Sequence, residues 1–452
     1  MSPEEIQKII KESKANKVKV AVTDIDGILR GKYIHLDKFL SALESGFGFC
    51  NVIFGWDCND LTYDNVEYTG WHTGYPDALA RIDPDTYRNI PWDKQTPFFL
   101  ADFYTEDGEP LYVCPRQVLK KVIRKAKSMG FEPLFGLEFE FFNFRETSQS
   151  LQEKSFTDLS SLTPGMFGYS LIRSTLSQPY FSSIIDELNE FKVPVEGLHT
   201  ETGPGVYEAG ILYSEALEAA DRAVLFKTGV KEIASRFGII PTFMARWNQS
   251  LPGSSGHIHQ SLKSLDSGVN VFYDSDKENR MSATFQNYLA GQIHCLPDLL
   301  PFFAPTVNSY KRLVEGFWAP TRVNWGIDNR TTALRVVPGS AKSTRLETRV
   351  GGADINPYLA VAAALAAGLY GIEKGLKPDK KPVQGNGYAD KDSVQLSPNL
   401  YESAIKMNNS ELARELFGND FIEHFANTRI WEWRESQKAV TSYELERYFE
   451  II

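Results

Sequence analysis

A chain of 452 residues is long enough for two domains, or for one large domain with an appendage. Its 42 % hydrophobic and 13 % aromatic content can fill a large core. The balance of 48 basic against 58 acidic residues gives a net charge of −10, which argues against a nucleic-acid or anionic-membrane surface, since both need a basic footprint.

Residues 1–19 are polar and patterned as an amphipathic helix, without the apolar stretch of a signal peptide. Residues 18–34 read as two strands turned at Asp24-Ile25-Asp26-Gly27, and a second helix fits 35–45. From 51 to 113 short apolar runs alternate with Gly, Pro and Asp, which predicts a small β-rich domain. At Pro115 the texture changes to a basic-faced helix over 116–129 ending at Gly130, so we place a domain boundary near 113. Cys50, Cys58, Cys114 and Cys295 show no CxxC pair and no zinc spacing, and read as free thiols in a reducing cytoplasm.

The larger part mixes strands (135–144, 206–213, 331–337) with helices (178–191, 214–236, 357–374, 410–416). Their irregular order fits an α+β fold better than a doubly wound parallel sheet. The longest apolar stretch, 358–372, is alanine-rich, too short to span a bilayer, and reads as a buried helix started by Asn356-Pro357. Residues 376–396 read as a surface loop.

Four short segments carry chemistry. Along 135–144 the alternation sends Glu138 and Glu140 to one face and Leu137, Phe139 and Phe141 to the other. Two carboxylates that close repel unless something positive lies between them. Glu201 and Glu208 flank Thr202-Gly203-Pro204-Gly205, a turn able to fold both back to one point. His257 and His259 share a strand face after a serine-rich turn. Arg345, Glu347 and Arg349 share another, with Lys342, Arg335 and Arg330 upstream. That is an anion site with one metal ligand in it. Any one segment alone is explained by solvated charge; together they describe phosphoryl transfer under metal control. No Walker A, dinucleotide fingerprint, GxSxG elbow or kinase HRD motif is present.

In this order the motifs GLEFEFF (136–142), HTETGPGVYEAG (199–210), GSSGHIHQSL (253–262), NSYKRL (308–313), NWGIDNRTTALRV (324–336) and the 344–372 run resemble the glutamine synthetase superfamily over nearly the whole chain. The resemblance implies an N-terminal β-grasp-like domain (1–113) and a catalytic domain (114–452) built on a curved antiparallel sheet flanked by helices. It implies one Mg²⁺ or Mn²⁺ on Glu140, Glu201 and Glu208 and another on Glu138, His257 and Glu347. ATP would be touched by His259, Ser261, Arg335, Lys342 and Arg345. Arg312, Arg349 and Gly253 would hold the amino acid, Arg330 would face the transferred phosphoryl, and Glu201 would serve catalysis. Tyr169 would line the amine pocket. Either Asp57 or Asp60 would complete a neighbouring subunit's site in a dodecamer of two hexameric rings.

The chain departs from the ammonia-using pattern at the flap after NSYKRL, where Trp318 stands in the place of a glutamate that accepts a proton from ammonium. An aromatic ring shields an alkyl chain or lies against a cationic head, but accepts no proton. The expected activity is therefore an ATP-dependent ligase joining glutamate to an organic amine through a γ-glutamyl phosphate. The alternatives are glutamine synthesis with ammonia, a catalytically silent ring-forming homologue, and a kinase that stops after phosphorylating a small acceptor. Residues 376–396 show no recognisable tyrosine-bearing modification segment, and neither nucleic acid nor membrane is an expected partner.

Overall fold

The computed structural model describes residues 1–13 and 15–452. The first helix, Pro3–Glu12, is capped by Ser2 in a reciprocal box with Glu5 and is shorter than the sequence predicts. Residue 14 lies outside the described residues, and Lys17 already begins a strand.

Six strands form the first sheet: β1 (Lys17–Thr23), β2 (Leu29–His35), β3 (Phe47–Cys50), β4 (Asp77–Ile82), β5 (Arg88–Ile90) and β6 (Thr96–Tyr104). Their order is β2-β1-β6-β4-β3, with β5 on the side of β6 and only β1–β6 parallel. The hairpin expected at 24–27 is present: Asp24 accepts the backbone N–H groups of Asp26 and Ile28 at 3.0 and 2.8 Å.

The second sheet has nine strands: β7 (Phe131–Phe144), β8 (Val195–Thr200), β9 (Val206–Ile211), β10 (Ser214–Glu215), β11 (Ile240–Thr242), β12 (Gly256–Ser264), β13 (Trp325–Ile327), β14 (Leu334–Val337) and β15 (Arg345–Thr348). They run β13-β14-β15-β12-β7-β9-β8, with β10 and β11 both against β7. All pairs are antiparallel except β13–β14. The fold is α+β, with helices on the apolar face of a curled sheet.

The strand alternation decides which face is which. Leu137, Phe139 and Phe141 are at most 1 % exposed. Phe139 stacks on Phe226 of the helix Ala216–Ser235 at 6.1 Å, and Phe141 on Phe243 at 5.1 Å. The helices Pro115–Ser128 and Pro357–Glu373 complete this layer, the latter capped by Asn356 and buried on nearly every side. The opposite face of β7 is left for its charged residues.

Two long helices were not expected from the sequence. Ala283–Phe303 contains Pro297 and Pro301, residues that ordinarily end a helix, and Asn419–Ser436 carries buried His424 and Arg429 among its apolar positions. One buried cation joins the first sheet to the helical layer: Arg116 donates to both carboxylate oxygens of Asp221 at 2.8 Å, to Asp83 at 2.8 Å and to Asp102 of β6 at 2.9 Å. Each charge in this network faces an opposite one, which is the condition for burying charge, although Asp102 Oδ1 accepts no hydrogen bond among the described residues.

Residues 376–396 form a surface loop, as expected, but one tied down along its length. Many of their side chains are exposed, but the backbone is bonded to the segment 321–331, from Val383 N–H to Trp325 O at 2.8 Å through to Leu396 N–H to Thr321 O at 3.0 Å. Among the described residues no helix is long and apolar enough to cross a membrane.

Candidate active site

Strand register assembles the site. Across β12–β7, His257 is opposite Glu138; across β7–β9, Glu140 is opposite Glu208; Glu347 of β15 is opposite both His259 and Arg335. Five strands thus deliver carboxylates, imidazoles and a guanidinium to one face.

Within this array His257 Nδ1 is 3.4 Å from Glu347 Oε1 and 3.7 Å from Glu138 Oε2. His259 Nε2 stands 3.0 Å from Glu138 Oε1, and its Nδ1 accepts from Arg345 Nε at 3.0 Å, which places the ring proton on Nε2. Arg335 donates to Glu347 Oε2 at 2.8 Å, and Arg349 pairs with the other oxygen. Glu140 Oε2 accepts the Ser255 backbone N–H at 2.6 Å.

The electrostatics show what is missing from the array. Burial, and then the crowding of Glu140, Glu138 and Glu201, push the Glu208 carboxyl up to about 9. Burial likewise raises Glu140, against the pull of the Ser255 N–H and Arg312. Glu347 is held at about 2 despite its burial, because His257 and Arg349 favour its charge. Glu138 is likewise low, with His259 and His257 outweighing burial. Burial and Arg349 push His257 down to about 4, so its ring is neutral, the form in which imidazole binds a metal, and its Nε2 has no partner among the described residues.

Among the described residues, donor atoms within 4.8 Å of one another form three groups: Glu138 with His259 and Glu347, Glu138 with Glu208 and His257, and His199 with Glu201 and Glu208. Oxygen-rich sets with one imidazole fit Mg²⁺ or Mn²⁺, and a divalent charge would relieve the crowding at Glu208. The groups cut across the expected division into two ligand triads. Glu138 lies at the centre, and Glu140 stands outside all three with one oxygen on Ser255.

Beside this array is a cavity of about 710 Å³, lined by His259, Ser261, Lys342 and Arg345 of the expected ATP set and by Glu138. Arg335 is not in its wall; the guanidinium is turned to Glu347 and Asp328. Tyr213, which the sequence reading did not single out, forms part of the wall.

The residues expected to hold the amino acid lie outside that cavity wall and close to one another. Arg312 is buried, with Nη1 on Val350 O at 2.9 Å and Nη2 on Arg349 O at 3.3 Å, both backbone carbonyls, and burial lowers it to about 10. Gly253 must be glycine, since a Cβ there would fall 2.8 Å from Arg312 Cγ and 2.4 Å from Ala245 O. Arg330 is exposed, and its carbonyl accepts Arg349 Nε at 3.1 Å.

Tyr169, 71 % exposed, stacks on His199 at 4.5 Å, over Glu201 and Glu208. His199 was also passed over in the sequence, although its place two residues before Glu201 puts it on the carboxylate side of the chain. Trp318 is 59 % exposed, with φ +62°. Asp57 and Asp60 lie in the N-terminal part: Asp57 accepts the N–H groups of Asn59 and Leu61 at 2.8 and 2.9 Å, and Asp60 pairs with Arg30 at 2.8 Å.

Beneath the array Gln260 and Thr348 bond to each other at 2.7 Å, and Gln260 accepts from Tyr288 at 2.7 Å and from Gln292 at 2.6 Å. This buried network locks β12 to β15 and fixes the histidines above it.

Residues 112–448 match the glutamine synthetase catalytic domain. The chain is 53 % identical over 446 residues to type-1 glutamine synthetase 2 of Dictyostelium discoideum, covering 98 % of this chain and 85 % of the relative. It is 36 % identical over 450 residues to a glutamate–isopropylamine ligase of Pseudomonas sp, covering 99 % and 98 %. A solved GmaS/ADP complex superposes with TM-score 0.86 at 27 % identity, covering 98 % of this chain and 99 % of that one.

Proposed function

The chain belongs to the glutamine synthetase family, and from that premise we propose that it joins glutamate to an organic amine at the expense of ATP. The carboxylate first takes the γ-phosphoryl group, giving an acyl phosphate and ADP. The amine then attacks the acyl carbon and phosphate leaves. Activation is needed because a carboxylate does not condense with an amine in water.

Each part of the site has a use in that sequence. The cavity lined by His259, Ser261, Lys342 and Arg345 takes ATP, with its phosphates toward Glu138. Arg312 and Arg349 take the acid's carboxylates by forked hydrogen bonds. Arg330 faces the phosphoryl in transit. A divalent cation held by Glu138, His257 and Glu347, with a second on Glu140, Glu201 and Glu208, would offset the charge spread over the phosphoryl oxygens. Tyr169 and Glu201 form the corner suited to an ammonium head, and Glu201 takes its proton.

The observation that carries the choice of amine is the flap. Trp318 is its exposed aromatic, and its one carboxylate, Glu315, is turned to Lys391 at 3.4 Å with half its side chain in solvent. The relative named a glutamate–isopropylamine ligase supports this reading. Ammonia is the second reading, favoured by the relative named a type-1 glutamine synthetase.

We further assign residues 1–113 and 114–452 as separate domains and place the protein in the cytoplasm. We also propose a dodecamer of two hexameric rings, in which Asp57 or Asp60 enters a neighbour's amine pocket.

The test is ADP release and product mass with glutamate plus ammonia, isopropylamine, ethanolamine, polyamines and anilines in turn. An organic amine is expected to exceed ammonia in kcat/KM. Equal efficiency with ammonia overturns the amine assignment, and ADP without amide overturns the ligase.

A further inference from the structure

Loop 376–396 does more than cover the surface. It grips the segment between the flap and β13, and β13 itself: Trp325 Nε1 donates to Lys380 O at 3.0 Å, Val323 N–H to Val394 O at 2.8 Å, and Arg322 to Ser393 O at 3.0 Å, while Lys391 pairs with Glu315 of the flap at 3.4 Å. Gly387 lies so close to the 329–331 turn that a Cβ there would fall 2.4 Å from Thr331 O, and its N–H donates to Thr331 Oγ1 at 2.7 Å. Asn324 Nδ2 bonds the Gly387 carbonyl at 3.0 Å. The loop is therefore pressed inward at Gly387.

The next residue uses that approach. Tyr388 has its backbone N–H capped by Asn386 Oδ1 at 3.0 Å, and its hydroxyl is buried without a completed hydrogen bond among the described residues. Burial raises the phenol, and against it the charges of Arg312 and Arg349 and the Trp318 backbone N–H all act on that oxygen. Arg312 in turn spends its hydrogen bonds on two backbone carbonyls and has no carboxylate in ion-pair range among the described residues. An unpartnered phenol and an unpaired buried guanidinium within electrostatic reach of each other suit an anion that satisfies both.

We propose that Tyr388 is a specificity residue for the acid substrate. Its O–H donates to the carboxylate held by Arg312 and Arg349, while its lone pair accepts the Trp318 N–H. A phenol can do both at once. Occupation of the acid site is thereby coupled to the position of the flap that shapes the amine pocket. The inference rests on reading the site as one that takes glutamate.

Calorimetric binding of glutamate, with Mg²⁺ and a non-hydrolysable ATP analogue present, is compared between the full-length protein and Tyr388→Phe. Nucleotide binding is the control for folding, and steady-state constants follow. The variant keeps the ring and loses only the hydroxyl, so glutamate affinity is expected to fall about tenfold or more, as for a lost hydrogen bond to a charged group. KM for glutamate rises by the same factor, while kcat and nucleotide affinity hold, the pattern of lost substrate binding. Equal glutamate affinity in the two proteins overturns the proposal. Loss of nucleotide and glutamate together also overturns it, because it marks a merely structural role. A wild type that binds glutamate but forms no amide defeats the ligase reading and leaves the two affinities to judge Tyr388. A wild type that binds no glutamate defeats both.

Discussion

His257 Nδ1 lies between two carboxylates, 3.4 Å from Glu347 and 3.7 Å from Glu138, delivered by the strands on either side of its own. One neutral ring thus bridges two anions, an arrangement that a cation would complete. Glu138→Gln keeps the shape of the array and removes one charge. Mg²⁺ affinity is expected to drop at least about tenfold, with amide formation falling alongside. Calorimetric Mg²⁺ titration checks this, and unchanged affinity would remove Glu138 from the metal site.

The raised Glu208 carboxyl sets the pH dependence of metal binding. Its folded value, about 9, is above the ordinary one, so the folded protein favours the protonated form. Without metal, the stability this contributes is full at acid pH and is lost as pH rises through about 9. A cation must displace that proton, so Mg²⁺ binds better toward alkaline pH. The rise in Tm on adding Mg²⁺ should be larger at pH 8.5 than at pH 6.5, and chelation should reverse it. The opposite order would contradict the assignment of Glu208.

Trp318→Glu supplies the flap with a proton acceptor. The ratio of kcat/KM for ammonia to that for the best organic amine should rise by about tenfold or more, the lower range of general-base effects. Competition assays with both amines measure it directly. A ratio that stays put takes Trp318 out of the specificity argument.

His424 sits fully buried in the helix Asn419–Ser436, edge-on to Tyr68 at 6.2 Å, and burial pushes it down to about 4. The folded state therefore resists a proton that the unfolded chain accepts. Stability attached to this residue is present above the usual histidine value and is lost as pH falls from there to about 4. The loss amounts to about 3 kcal/mol in all. His424→Leu should flatten this acid limb of the denaturation curve; an unaltered limb assigns it elsewhere.

The exposed apolar residues Trp71 and Leu171, at 81 and 84 %, and Phe449 and Ile452, at 85 and 93 %, suit contact with other subunits. Light scattering should find a particle much heavier than 51.0 kDa, and dilution to monomer should abolish amide formation. An active monomer would falsify the shared amine pocket.

Period-two alternation in residues 135–144 was sufficient to separate Glu138 and Glu140 from Leu137, Phe139 and Phe141, because a strand with one buried face must alternate. The spacing of His257 with His259, and of Glu347 between two arginines, was legible for the same reason. What the chain could not reveal alone was the register that sets His257 against Glu138 and Glu208 against Glu140, since pairing is chosen between segments far apart in sequence. Helix Ala283–Phe303 was hidden by its two prolines, which packing tolerates and local propensity does not. Tyr388 was hidden in a polar loop whose inward turn depends on Thr331 and Asn324, residues that only the folded chain brings beside it.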